Sequence, residues 1–211
     1  MQTLTEQIKS VDTEIKSLIE SRLNEFRSFR TKNEDEWFSE LCFCLLTANS
    51  RAKTAIAIQK ELGFQGFSKN DQKSIAEAIR RNKHRFHNNK AKYIVEARNH
   101  IPIKQKISQI VKEQGILNAR EWLVNNVKGL GFKEASHFLR NTGHENVSIL
   151  DRHILNLMAE HNIIESVPKP VTKKNYLDIE NKFNKIAFLL DMTPAKLDLY
   201  MWYLKAGEVL K

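Results

Sequence analysis

Cysteine is scarce in this chain of 211 residues: there are two, Cys42 and Cys44. They stand one residue apart in an apolar helical run, so they point to different faces and cannot readily bridge. Buried free thiols are expected, as a reducing cytoplasm would keep them. Two cysteines also rule out a four-cysteine iron–sulfur cluster. No apolar run is long enough to cross a bilayer, so no membrane partner is expected. The opening stretch MQTLTEQIKSVDTEIK is polar and charged, unlike a secretory leader. A Walker loop and a dinucleotide fingerprint are both missing. His84 and His87, like His137 and His144, lack cysteine or carboxylate companions at recognised zinc spacing, so no metal site is expected. No stretch alternates as strands do, and no internal repeat is visible.

What remains is helical and basic. Hydrophobic residues make up 41% of the chain, enough for one large or two small globular units, and the net charge is +9. That balance favours a polyanionic partner, nucleic acid first, while many basic proteins bind none. Apolar spacing predicts an amphipathic helix over about 5–29 and a nearly all-round apolar, central helix over 34–47. Further helices are expected over 51–62, stopped by Gly63, then over 71–81, 89–99 and 104–114, the last ending at Gly115. Helical patterns continue over 119–126, 132–140, 152–160 and 174–190. Thr193-Pro194 opens a final helix that stops at Gly207, while Pro168 and Pro170 punctuate a loop. The expected fold class is all-α.

The stretch at 127–151, VKGLGFKEASHFLRNTGHENVSILD, organises the rest. Gly129 and Gly131 bracket one leucine, which suits a tight hairpin with positive φ angles between two helices. Such a turn leaves the amides of Gly129 and Gly131, and the start of the next helix, pointing outward to bind a phosphate. Lys133 falls in the first turn of that helix, where the positive end of the dipole favours a neutral, nucleophilic amine. The helix would run roughly 13 Å, at 1.5 Å per residue. A turn at 141–144 and an extended 145–150, at about 3.3 Å per residue, could bring Asp151 back to Lys133. A carboxylate there would stabilise positive charge or move a proton. The plainer readings are a solvated or phosphate-binding Lys133, and an Asp151 that only caps helix 152–160.

Three other places could touch DNA. TANSR at 47–51 stands at the mouth of the central helix; Asn49 suits exposed bases and Arg51 a phosphate, unless Asn49 or Ser50 merely caps the next helix. Arg80, Arg81, Lys83, Arg85, Lys90 and Lys92 form a cationic stretch interrupted by Phe86, which suits phosphate neutralisation with base stacking. A solvated loop with Phe86 in the core is the alternative. On residues alone, Trp202 reads as core and Lys211 as a loose end. If Val209 and Leu210 anchor the tail, however, the Lys211 α-carboxylate could accept the paired N1–H and N2–H donors of a guanine edge.

GLGFKEA followed by SILDRHIL resembles the helix-hairpin-helix DNA glycosylase superfamily. LLTANSRAKTAI at 45–56, RFHNNKAKYI at 85–94 and MWYLKAGEVLK at 201–211 narrow the likeness to the type-2 8-oxoguanine DNA glycosylase/AP lyases, over nearly the whole chain. Members often carry proline where Lys128 stands, a departure that touches the turn. The resemblance implies a base excision repair enzyme with Lys133 as Schiff-base nucleophile and Asp151 as its acid partner. It implies that Asn49 fills the hole left by the extruded base, that Phe86 and Trp202 sandwich the base, and that Lys211 recognises it. Lobes of 31–145 and of 1–30 plus 146–211 would flank the cleft. No cofactor is implied, although the hairpin could hold a monovalent cation beside a phosphate. The implied partner is duplex DNA containing 8-oxoguanine, met by a cytoplasmic, nucleoid-associated monomer. Alternatives are a glycosylase for another oxidised base, a non-catalytic hairpin module that only grips DNA, and a helical protein–protein adaptor.

Overall fold

The computed structural model describes residues 3–211; Met1 and Gln2, the first residues of the polar opening stretch, lie outside it. Among the described residues the structure is helical throughout, with no strand. In order the helices are α1 (Leu4–Lys9), α2 (Thr13–Ser28), α3 (Glu34–Thr47), α4 (Ala52–Lys69), α5 (Gln72–Arg81) and α6 (His87–Ala97). There follow α7 (Ile103–Gln114), α8 (Ile116–Asn126), α9 (Phe132–Asn141), α10 (Arg152–Glu160), α11 (Lys173–Leu189) and α12 (Pro194–Ala206).

The central helix is α3. Asn33 opens it: the Glu36 amide donates to Asn33 Oδ1 at 2.9 Å, and the Asn33 amide donates to Glu36 Oε2 at 3.0 Å. That reciprocal cap, with Glu34, Asp35 and Glu36 against the positive dipole end, starts the helix where the sequence turns apolar. Trp37, Phe38, Leu41, Phe43 and Leu45 are then buried, and α4, α6, α7 and α9 pack around them. Side chains from α6 and from the loop before it occupy the other end. Lys90 Nζ donates to the Leu45 carbonyl at 2.6 Å, and the His84 ring lies 3.0 Å from the Leu46 carbonyl. Cationic and polar groups thus take carbonyls that have no partner within the helix.

The apolar interior divides in two. One cluster runs from Trp37 to Val147 and is built on α3 and the helices around it. The other joins Leu4–Phe26 to Leu150–Val209, so the first and last helices share a core. Buried charge crosses between them. Arg120 of α8 meets Glu180 of α11, with Nη2 donating to Oε2 at 2.8 Å, and Arg140 of α9 pairs with Asp198 of α12. Phe132, at the start of α9, packs against the second cluster, its ring 5.5 Å from that of Tyr176.

Two expected boundaries are corrected. The first helix is broken at Ser10–Asp12, which turns Val11 into the core and lets α2 begin after Asp12. Gly63 does not end its helix. It adopts φ +55°, the helix bends there, and a further turn to Lys69 buries Phe67. Phe64 and Phe67, at helical spacing beyond the glycine, gain more by packing than the kink costs.

The turn after α9 holds a pH-sensitive group. Burial, with the Arg30 guanidinium adding to it, pulls the His144 imidazole down from 6.5 to about 4. Folding therefore favours neutral His144, and the unfolded chain binds the proton more tightly. Stability is full above about pH 6.5 and is lost as pH falls toward 4, by roughly 3 kcal/mol for this group. A His144→Gln variant is expected to lose less melting temperature than the parent chain over that window. Equal losses would show that His144 does not carry the acid sensitivity.

Candidate active site

Site residues gather where α9 begins, where α10 begins and where α3 ends. The α8–α9 turn is tight: the Leu130 amide donates to the Val127 carbonyl at 3.2 Å, and Gly129 sits at φ +94°. No acceptor takes the Gly129 amide among the described residues. The expectation for Gly131 is corrected on two counts. Its φ is −97°, ordinary extended backbone, and its amide donates to Glu134 Oε2 at 3.2 Å. The anion-binding capacity of the hairpin therefore rests on Gly129 and the first amides of α9, which have no acceptor within the helix.

Lys133 is largely covered, with 23% of its side chain exposed, and Glu134 Oε1 lies 3.8 Å from its ammonium. Asp151 caps α10, its Oδ1 accepting the Ile154 amide at 2.9 Å. The segment leading to Asp151 is held by Tyr176, whose hydroxyl donates to the Ser148 carbonyl at 2.7 Å. Asp151 is thus the helix cap of the plainer reading, and one carboxylate oxygen remains beyond that bond. The carboxyl of Asp198 on α12 is buried and paired with Arg140. Burial pushes that carboxyl up to about 7 and Asp151 adds to the rise, while Arg140 and Lys133 oppose it.

Lys211 is not a loose end. Its ammonium donates to Glu40 Oε2 at 2.7 Å and to Gln59 Oε1 at 2.8 Å, and it sits 4.1 Å from the centre of the Phe43 ring. Val209 is buried behind it. His137, one turn after Lys133, packs edge-on against Phe43 at 5.6 Å, and neither ring nitrogen has a hydrogen-bond partner. Burial drives its imidazole well below the ordinary value, helped by Arg140, Lys133 and Lys211.

Trp202 packs edge-on against His153 at 4.7 Å, and its Nε1 is buried without a partner. Phe86 is 41% exposed beside His84 and under the Arg85 guanidinium, which excludes the reading that buries it in the core. The Phe86 and Trp202 rings do not touch each other among the described residues. Asn49 is exposed at φ +60°, and the N-cap position of α4 belongs to Arg51, so neither Asn49 nor Ser50 is the cap. The cationic stretch needs one correction: Lys90 is buried against the end of α3, and burial lowers its amine to about 8. Arg80, Arg81, Lys83, Arg85 and Lys92 remain exposed. A groove of about 510 Å³ between α5 and α6, lined by Lys73, Glu77, Arg80 and His87 among others, takes in Arg80 of the cationic stretch but none of the candidate catalytic or base-binding residues. No three His, Cys, Asp or Glu side chains come together as metal ligands among the described residues.

Sequence reasoning missed Glu40, Gln59, Asn141 and Asp198. One signal was present: Glu40 is a single acid in the middle of an apolar helix, and a buried carboxylate must find donors.

The chain matches the family model described as 8-oxoguanine DNA glycosylase over residues 19–192. It is 46% identical over 200 residues to the 8-oxoguanine DNA glycosylase/AP lyase of Methanocaldococcus jannaschii, covering 95% of each chain. With the protein of that name from Thermotoga maritima it shares 42% identity over 212 residues, the whole of both. The crystal structure of the Methanocaldococcus jannaschii enzyme in complex with a 15mer DNA containing 8-oxoguanine superposes with a TM-score of 0.94, at 44% identity over 99% of each chain.

A Cβ at Gly129 would drive into the Tyr93 ring and force a side chain into left-handed backbone. Gly129→Ala is expected to cost at least about 1–2 kcal/mol of stability and to weaken duplex binding. Gly131→Ala, meeting only Glu134 Oε2 at 3.2 Å, should cost less. Melting curves and fluorescence anisotropy on both variants check the ranking, and equal behaviour would contradict it.

Proposed function

This chain belongs to the 8-oxoguanine DNA glycosylase family, and we propose that it excises 8-oxoguanine from duplex DNA through a Schiff base on Lys133, then cuts the strand as an AP lyase. The observation that carries this reading is the placement of Lys133, largely covered, in the first turn of α9 directly after the Gly129 turn, with Asp151 capping α10. The basic surface draws the duplex by counterion release, and the Gly129 amide with the start of α9 grips a phosphate. The glycosidic carbon is out of reach in the stack, so the nucleotide is extruded. Asn49, exposed at its turn, fills the gap; Arg51 takes a phosphate. Phe86 and Trp202 stack on the base, and Lys211 reads its edge.

Chemistry follows at C1′. The neutral Lys133 amine forms a bond to C1′, and the N-glycosidic electrons leave on the base, which gains a proton. Asp151 stabilises the positive charge that builds on the sugar and accepts the amine proton. Ring opening gives the Schiff base, loss of a C2′ proton breaks the C3′–O bond, and the strand is cut on the 3′ side. Water then frees the lysine. This course asks for no cofactor. The two apolar clusters serve as lobes flanking the cleft, with Lys133 on one side and Asp151 on the other. We place the enzyme in the cytoplasm, at the nucleoid, as a monomer.

Borohydride reduces a Schiff base to a stable amine, so the wild-type chain is expected to be trapped on an 8-oxoguanine:cytosine duplex. Lys133→Gln should give no adduct, and Asp151→Asn should slow excision on the order of 100-fold or more. A full yield of adduct from Lys133→Gln would sink the assignment. Salt-sensitive binding without any adduct from the wild-type chain would leave only a DNA grip.

A further inference from the structure

We propose that Glu40, assisted by Gln59, is the positioning residue for Lys211: its buried carboxylate holds the lysine ammonium and so sets where the tail meets the extruded base. The proposal rests on the reading of Lys211 as a base-recognising residue and adds what holds it there.

Glu40 is 2% exposed, in the middle of α3. Donors surround it: Lys211 Nζ at 2.7 Å and Gln59 Nε2 at 3.3 Å on one oxygen, and Asn141 Nδ2 at 2.6 Å on the other. Of these, only Lys211 carries a charge. A buried carboxylate and its single cationic donor hold each other strongly, since parting them leaves charge in a medium that solvates it poorly. The other ties on the tail are weaker. Glu208 pairs with Lys53, whose side chain is 71% exposed, and such surface pairs contribute little. Val209 adds apolar burial, which has no direction. Direction therefore comes from Glu40 and Gln59, with Phe43 beneath the ammonium.

Glu40 is itself held. The Asn141 side chain that donates to it accepts from the Arg140 guanidinium at 3.0–3.1 Å, and Arg140 pairs with Asp198. A continuous hydrogen-bonded line thus joins the tail of the chain to the buried Arg140–Asp198 pair. Every member of this line has its partner, as a rigid polar network in a core requires.

The test separates recognition of the base from the sugar chemistry. Glu40→Gln keeps the shape and removes the charge. Single-turnover excision from an 8-oxoguanine:cytosine duplex is expected to fall on the order of 10- to 100-fold, the loss that follows small misplacement of a substrate-binding group. Cleavage of a duplex with a preformed abasic site, which has no base to read, should stay within about twofold of wild type. Lys211→Met should lower excision to a similar degree. The double variant should be no slower than the slower single variant, because both changes break one link. Unchanged excision in Glu40→Gln, equal losses in excision and abasic-site cleavage, or losses that multiply in the double variant would each overturn the proposal. If Glu40→Gln fails to melt cooperatively, Gln59→Met carries the same comparison, since it removes one acceptor of the ammonium and leaves the buried pair. Absence of excision by the wild-type chain would instead count against the proposed function itself.

Discussion

Two ion pairs buried between the apolar clusters hold the rest of the molecule in place. Arg120–Glu180 and Arg140–Asp198 join helices of the first cluster, α8 and α9, to helices of the second, α11 and α12. Apolar faces alone would let the clusters slide, since dispersion and hydrophobic burial have little direction. A buried guanidinium and carboxylate leave no such freedom. Losing either partner strands a charge at a cost of about 3–5 kcal/mol, against at most about 1 kcal/mol for an exposed pair. Arg120 also lies 5.3 Å from the Phe132 ring, so the residue before Lys133 is pressed between the crossing charge and Tyr176. The position of Lys133 follows from this seam.

Charge is distributed with the same economy inside the site. Lys211 and buried Lys90 both reach α3, at Glu40 and at the Leu45 carbonyl, while Lys133 stands at the start of α9. Each cation has a distinct counterpart. Lys90 is bonded to a carbonyl and buried, Lys211 meets Glu40, and Lys133 has only Glu134, at 3.8 Å. Of the three, Lys133 is the least committed, which suits the nucleophile we propose it to be. Burial and the Lys133 and Lys211 ammonium groups disfavour a proton on His137.

Much of the architecture was legible without coordinates. Helix starts at Asn33, Asp71, Asp151, Thr172 and Thr193 follow from side chains that accept the amide three residues on. The stops at Gly115 and Gly207 follow from their positive φ. The hairpin was visible for the same reason: it depends on residues close in sequence. The misread points were those where packing overrode a local signal. Gly63 bends a helix that Phe64 and Phe67 carry onward, and Val11 turns inward between α1 and α2. Lys90 looked like one more phosphate contact until burial matched it to the Leu45 carbonyl.

Periodicity, capping and turn chemistry are properties of a few neighbouring residues, so the chain itself determined an all-α fold and the likeness to a glycosylase family. Partner choice for buried charge is different. Lys211 finds Glu40 across 171 positions, and Arg140 finds Asp198 across 58. A buried charge takes whichever opposite group the packing brings near, and only the assembled tertiary structure decides which group that is.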